Sequence, residues 1–404
     1  MSTSGLTFLC IASYEKGFDF LRAAKELGNR VILLTSKSLE NVNWPKDSID
    51  EIFFIPDENK LWNMQDLIYA VSYLARSEKI DRIVALDDFD VEKAAALREH
   101  LRIPGMGDTT ARYFRDKLAM RTRAKEEEIN VPEFIHVLNY AELKSFFKRV
   151  EPPYILKPRM QAGAIGIKKI EREEQFWKII DELGDQQSFY LLEQFITGDI
   201  YHVDSIRYKN EVVFARASKY GKPPFEVAHT GKVFTSSTLK RGSLEEDHLR
   251  TINRQVLNAM GLVKGISHSE FIKADKDGKL YFLETSARVG GANLAEMVEA
   301  ATGINLWREW AKIESLTGEN QKYVLPEYKN DHSGIMICLA KQEWPDLSQF
   351  DAPEVIWKLN KKYHAGMIVR SESCERVEEL MSDYTQRLYE QYLTTRPMGD
   401  SPSN

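Results

Sequence analysis

The chain reads as an open, doubly wound parallel α/β domain over residues 1–112, followed by α+β structure to residue 404. Two observations predict this. Through the first hundred positions, short apolar runs alternate with amphipathic stretches of ten or so residues, the pattern of parallel strands joined by right-handed helical crossovers. Beyond about residue 113, apolar runs follow one another with short polar turns between them, as antiparallel strands do.

Leu6–Ala12 is the first buried strand. Phe18, Phe20, Leu21, Ala24 and Leu27 fall at helical spacing, and Gly28-Asn29 ends that helix. Val31–Thr35 and Ile52–Ile55 are the next strands, Met64–Ser77 a helix, Arg82–Leu86 a strand and Val91–Leu101 a helix. The turn after the first strand, Ser13–Gly17, lacks the glycine fingerprint of dinucleotide sites, which favours a scaffold or substrate-side role. Asp87-Asp88-Phe89-Asp90 follows the carboxyl end of a strand, where open α/β sheets place ligands. The plainer reading of that loop is a solvated acidic helix start.

Farther on, helices are expected over Ala111–Glu128 and Tyr140–Arg149. Strands are expected over Tyr154–Lys157, Ile167–Ile170, Phe189–Phe195, Tyr201–Arg207, Glu211–Ser218, Gly265–Ile272 and Leu280–Glu284. Asp204–Ala217 and Phe271–Glu284 suggest antiparallel pairs, the second turning through Lys273–Gly278. Helices follow over Ala292–Thr302 and from about Ile304. Strands over Ser333–Leu339 and Ala365–Arg370 precede an amphipathic helix, Ser373–Leu393, and a polar tail.

Composition narrows the functional classes. Lys plus Arg total 55 against 61 Asp plus Glu, a net charge of −6, which argues against nonspecific nucleic-acid binding. No run approaches the ~18 apolar residues of a membrane span. The first apolar run has no basic segment before it and reads as a core strand, not a signal peptide. Cys10, Cys338 and Cys374 are odd in number and far apart, which fits free thiols in a reducing compartment. The expectation is a soluble cytoplasmic protein.

Four local patterns bear chemistry. The first is Arg115-Asp116-Lys117-Leu118-Ala119-Met120-Arg121. In the second, Lys157 ends a strand, so burial demands an anion for it. The small-residue loop Gln161–Ile167 follows, whose backbone N–H groups can approach phosphate oxygens. The bland alternative is a flexible hairpin with a surface lysine. The third, Glu193-Gln194-Phe195-Ile196, is strand-like and stops at Thr197-Gly198. Such a run can bind an adenine edge, although an ordinary strand end reads the same way. In the fourth, Glu270 and Glu284 lie 14 residues apart across a turn. Pairing them on one sheet face juxtaposes like charges, which a magnesium ion between them would relieve. Two solvated glutamates are the other reading. Arg288, beside Gly290-Gly291, is placed to hold a carboxylate or acyl phosphate bidentately.

In order and spacing these patterns resemble the ATP-grasp superfamily, from Arg115 to about Ala311. The resemblance implies an α/β domain over 1–112, two ATP-grasp subdomains over 113–190 and 191–324, and a closing segment over 325–404. It implies ATP as the nucleotide and Mg2+, with Mn2+ as a substitute, as the metal. Lys117 and Lys157 would contact phosphates under a loop containing Ala162, Gly163, Ala164 and Gly166. Glu193, Gln194, Phe195 and Ile196 would form the adenine hinge, and Glu270, Glu284 and Ser286 the metal site. Arg288 would bind the acyl phosphate or substrate carboxylate. Lys219, with Lys222 nearby, falls where such enzymes carry a mobile loop near the γ-phosphate.

Three positions depart from the family pattern. Ser286 replaces a usual asparagine, Ala164 a common serine, and Ile200 the usual ribose-binding carboxylate. Asp204, in preference to Asp199, is expected to serve the ribose. Strand alternation puts His202 on the same face, as a ligand contact or a satisfied structural histidine.

His202-Val203-Asp204 with Glu284 to Gly291 looks most like the carboxylate–amine ligases, including those that act on amino acids. The expected activity joins a small-molecule carboxylate and amine with release of ADP and phosphate, in a possible homodimer. The competing expectations are a carboxylase-like or purine-pathway-like ATP-grasp enzyme and a catalytically silent nucleotide-binding regulator.

Overall fold

A computed structural model of the protein describes residues 5–57, 61–163, 165–317 and 321–395. The N-terminal sheet holds β1 (Thr7–Ala12), β2 (Arg30–Ser36), β3 (Glu51–Ile55) and β4 (Arg82–Ala85), all parallel, in the order β3-β2-β1-β4. The chain winds outward from β1 to β3 and then returns to the other side of β1. The loops at the carboxyl ends of β1 and β4 therefore meet at the topological switch point. Two contacts tie them together: Ser13 N–H donates to Asp90 Oδ2 (2.7 Å), and Lys16 pairs with Asp87.

The second sheet is small and antiparallel: β5 (Phe134–His136), β6 (Tyr154–Pro158), β7 (Lys168–Ile170) and β8 (Tyr190–Gln194), ordered β5-β8-β6-β7. Helices Tyr140–Arg149 and Glu173–Leu183 close one face of it through Phe146, Phe176 and Ile180.

The third sheet has eight antiparallel strands: β9 (Gly198–Tyr208), β10 (Glu211–Tyr220), β11 (Phe234–Thr238), β12 (Gly265–Ala274), β13 (Leu280–Ser286), β14 (His332–Leu339), β15 (Val355–Lys358) and β16 (His364–Ser371). Their order is β13-β12-β9-β10-β11-β14-β16-β15, so the C-terminal strands extend the sheet that carries Glu270 and Glu284. Helix Leu244–Met260 packs Leu249, Val256 and Leu257 against Tyr201, Val203, Phe271 and Phe282 on one face. Helix Cys374–Gln391 covers the other end of the sheet. A shared core joins the N-terminal sheet to this one through Phe20, Ile266, Val289 and Trp310. No helix among the described residues is long and apolar enough to cross a membrane.

The single helix expected over Ala111–Glu128 is two, Asp108–Arg112 and Lys117–Glu126. Asp116 is the reason. Its carboxylate accepts from the N–H groups of Leu118 and Ala119, so it caps a new helix and makes Lys117 the first helical residue. Helices Glu173–Leu183 and Leu244–Met260 and strands β5, β11 and β15 were not among the elements expected from sequence.

Candidate active site

The carboxylate pair is set by a hairpin with one irregularity. Phe271 pairs with Phe282 across β12 and β13, but Glu270 pairs with Glu284, because β13 carries an extra residue at Leu283. This β-bulge shifts the phase of the strand. Phe282 stays on the core face, while Glu284 turns to the face of Glu270. Glu270 Oε1 accepts from the Tyr220 hydroxyl (2.8 Å), and Glu284 Oε2 pairs with Lys117 Nζ (2.9 Å). Glu270 Oε2 and Glu284 Oε1 have no hydrogen-bond partner among the described residues. Burial works against the charge of Glu284, yet Lys117 and Lys157 hold its carboxyl below the usual range. Two cross-strand carboxylates, each with an unengaged oxygen, are a donor set that suits a hard divalent cation. The buried Ser286 hydroxyl instead donates to Asp88 Oδ2 (3.2 Å), so only its lone pairs remain for a metal.

Lys157 is buried at the end of β6 and does meet an anion. Its Nζ lies 2.6 Å from Glu193 Oε2, and Glu193 Oε1 lies 2.6 Å from Arg121 Nε. Burial lowers the Lys157 ammonium to about 8 despite Glu193, while Arg121 and Lys157 outweigh burial and keep Glu193 ionised. Lys117 Nζ also donates to Gln161 O (2.6 Å), which anchors the small-residue loop beside both lysines. Gly163 (φ +69°) and Gly166 (φ +70°) lie in the left-handed region that side chains disfavour. Ala162 is half-buried beside them, and Ala164 lies outside the described residues.

The expected adenine hinge is partly engaged already. Glu193 and Gln194 are in the β6–β8 ladder, Gln194 N–H donates to Glu133 O (2.8 Å), and Phe195 N–H to Pro153 O (3.0 Å). Among the described residues the Ile196 N–H makes no backbone hydrogen bond, and it follows this run directly. Lys169 Nζ sits 4.8 Å from the centre of the Phe195 ring.

Arg288 is not an open guanidinium. Nη2 donates to Asp88 Oδ2 and Nη1 to Val289 O, both at 2.9 Å, while its buried Nε has no partner among the described residues. Asp88 lies between Arg288 and Arg115, the latter at 3.9 Å, and these cations outweigh burial and hold its carboxyl far below normal. The acidic loop is therefore no solvated helix start. Asp87, Asp88 and Asp90 are all buried where the N-terminal sheet meets Arg288.

Three expectations need correction. Asp204 has no exposed surface, and both its oxygens are taken: His202 Nδ1 lies 2.8 Å from Oδ2 and His268 Nδ1 2.9 Å from Oδ1. It lies on the Glu270 face of the sheet but beneath the loop at Gly290, with no oxygen left for a ribose. His202 is equally enclosed, with Nε2 on the Ser236 hydroxyl (2.8 Å), so it is a satisfied structural histidine rather than a nucleotide contact. Asp199, the alternative to Asp204, is exposed and pairs with Lys219 (2.6 Å). Lys219 itself belongs to β10 and not to a loop. It pairs with Tyr201, one position out of step with the row Ser218, His202, Glu270, Glu284, so it projects from the opposite face.

Arg121, Asp88 and Tyr220 are site neighbours that were not among the candidate side chains. Arg121 carried a signal: it stands four residues after Lys117, on the same helical face. Asp88 was visible only as part of an acidic loop.

A model described as the ATP-grasp domain matches residues 150–296, and one described as the ATP-grasp N-terminal domain matches 21–105. The chain is 25% identical over 270 residues to an L-arginine-specific L-amino acid ligase of Bacillus subtilis, a match that covers 65% of this chain and 64% of that protein. It is 24% identical over 244 residues to a D-alanine–D-alanine ligase of Pseudomonas fluorescens, covering 57% and 72%. Among solved structures, an L-amino acid ligase from Bacillus licheniformis superposes with a TM-score of 0.76 at 17% identity, over 98% of this chain and 100% of that one. N5-carboxyaminoimidazole synthetase from Staphylococcus aureus, complexed with ADP, gives 0.71 at 15% identity, over 94% and 97%.

Proposed function

From its membership of the ATP-grasp family, we propose that the chain is an ADP-forming carboxylate–amine ligase that acts on amino-acid-type substrates. One observation carries the reading: Glu270 and Glu284 pair on one sheet face, and Lys117 joins that face to the small-residue loop. The similarity to an L-amino acid ligase supports the substrate class.

A substrate carboxylate oxygen attacks the γ-phosphorus of ATP, and the bond to the β–γ bridging oxygen breaks to release ADP. The substrate amine then attacks the acyl carbon. The carbon–oxygen bond to phosphate breaks, and the amine loses its proton as the amide forms. Lys117 and Lys157 supply positive charge at the phosphates, and the loop Ala162–Gly166 covers them. Ile196, after Glu193, Gln194 and Phe195, offers its N–H to the adenine edge. Glu270 and Glu284 would hold magnesium, with Ser286 at the margin, and the bound metal would neutralise phosphate charge. Arg288 orients the carboxylate or acyl phosphate, its own position fixed by Asp88. Enclosure between the N-terminal loops and the large sheet keeps water from the acyl phosphate.

The test is phosphate release from ATP with Mg2+ and an amino-acid panel, offered singly and in pairs, with products read by mass spectrometry. The expected result is release that needs two substrates, with ADP and a new mass equal to their sum less water. A second reading, a silent nucleotide-binding regulator, is favoured by one observation: Ser286 and Arg288 both engage the same Asp88 oxygen. ATP binding with no release under any pair, or with metabolite extract, would establish that reading instead.

A further inference from the structure

A line of polar side chains runs through the large sheet and ends on Glu270. The Ser236 hydroxyl donates to Lys219 O (3.1 Å) and meets His202 Nε2 (2.8 Å). His202 and His268 clasp Asp204 from either side, each through Nδ1. His268 Nε2 then lies 3.5 Å from both the Tyr220 hydroxyl and Glu270 Oε1. The Tyr220 ring reaches from β10 over the His202 ring on β9 (centroids 4.7 Å apart) and donates its hydroxyl to Glu270 Oε1 on β12 (2.8 Å). Ser236, His202, Asp204, His268 and Tyr220 are all buried.

The plain account is a polar cluster that satisfies itself. Such a cluster costs desolvation that apolar residues of equal volume would avoid, and two features give it a direction. It terminates on a half-buried carboxylate and engages only one of its oxygens, leaving the other for the cleft. It also supports the loop after Arg288. A Cβ on Gly290 would sit 2.9 Å from Asp204 Oδ1 and 3.0 Å from His268 Nδ1, so that loop packs directly on the Asp204–His268 pair. The three buried ligating residues His202, Asp204 and His268 are grouped closely enough for a metal, but they already hydrogen-bond one another.

We infer that Tyr220, backed by the Asp204–His268 pair, is a positioning residue that fixes the Glu270 carboxylate for a divalent cation. The inference rests on the reading of Glu270 as a metal ligand. Outer hydrogen-bond partners of this kind typically change metal affinity about 10–100-fold.

The experiment titrates Mn2+ into the ADP complex of the full chain by electron paramagnetic resonance, with ADP affinity measured separately without metal. Glu270→Gln is expected to lose tight Mn2+ binding. Tyr220→Phe, which removes one hydroxyl, is expected to weaken Mn2+ about tenfold while metal-free ADP affinity stays within about twofold of wild type. A merely structural tyrosine would move both together or neither. Wild-type Mn2+ affinity in Tyr220→Phe, with binding lost in Glu270→Gln, overturns the inference and leaves the metal assignment standing. Unchanged Mn2+ binding in Glu270→Gln overturns the assignment and the inference with it. Should Tyr220→Phe fail to fold by circular dichroism, His268→Gln carries the same expectation and the same overturning result.

Discussion

Asp88 and Arg288 stand 200 residues apart in the chain, yet their side chains meet at 2.9 Å. Asp88 comes from the switch-point loop of the N-terminal sheet and Arg288 from the end of β13, so one ion pair joins two sheets at the cleft. With Arg115 on its other side, Asp88 is a buried anion between two guanidinium groups.

Removing that anion takes from both cations their shared buried partner. Asp88→Asn is expected to lower the unfolding free energy by about 3 kcal/mol, the usual cost of breaking a buried pair. Urea denaturation at neutral pH measures it. Raising the salt concentration should change the loss little, because buried pairs are weakly screened. A loss below about 0.5 kcal/mol would mean that the pair is solvated.

Lys157→Ala removes one phosphate-side cation and leaves Glu193 with Arg121 alone. ATP affinity is expected to fall about 10–100-fold, the worth of one or two charge-assisted hydrogen bonds. Isothermal titration calorimetry reads it. Unchanged affinity would remove Lys157 from the nucleotide site.

The same lysine sets a pH dependence. Its ammonium is lowered to about 8, from the ordinary lysine value of 10.5, chiefly by burial. Below pH 8 it is a cation and ATP affinity should be flat. Above pH 8 it loses its proton in the free protein, so affinity should fall as pH rises, by up to about tenfold per unit. Lys157→Arg keeps its charge at these pH values and should abolish that limb. A wild-type profile flat to pH 9.5 would contradict the prediction.

Glu284→Gln alters one charge and little volume. Turnover is expected to fall below about 1% of wild type, in line with removal of a key electrostatic group, while the unfolding midpoint shifts by only a few degrees. Chelation of divalent cations should stop wild-type turnover, and added Mg2+ or Mn2+ should restore it. Wild-type turnover in Glu284→Gln would dismiss the metal assignment.

The sequence made some of this visible, for identifiable reasons. Strands β1, β2 and β4 are unbroken apolar runs bounded by glycine or charge, so their type is written locally. Strand β11, Phe-Thr-Ser-Ser-Thr, carries one large apolar residue and owes its conformation to β10 and β14, which no local pattern reveals. The break before Lys117 was missed because helix-forming residues flank Asp116 on both sides, and its side-chain cap starts a new helix. Glu270 and Glu284 were legible as a pair because the turn between them is short. Asp204 shows the limit of alternation, which tells the face of a strand but not how deeply that face is covered. The contacts of Asp88 with Arg288 and of Arg121 with Glu193 join elements remote in sequence and exist only after folding.

The extra residue at Leu283 makes the β12–β13 hairpin unequal in its tolerance of length changes. Its tip, between Ala274 and Leu280, is a solvent-facing loop where an added or lost residue alters only the turn. Loss of Leu283 would make Phe282 and Glu284 neighbours, so strict alternation would still hold them on opposite faces and leave Glu284 across from Glu270. Arg121 would lose the carbonyl it now binds there. A single-codon deletion at this point thus removes the bulge without inverting the end of the strand, and what it costs is the Arg121 contact. Substitution scans cannot reveal such a position, whereas a deletion scan along 280–286 would mark Leu283 as better tolerated in turnover than Thr285, whose loss turns Ser286 to the other face.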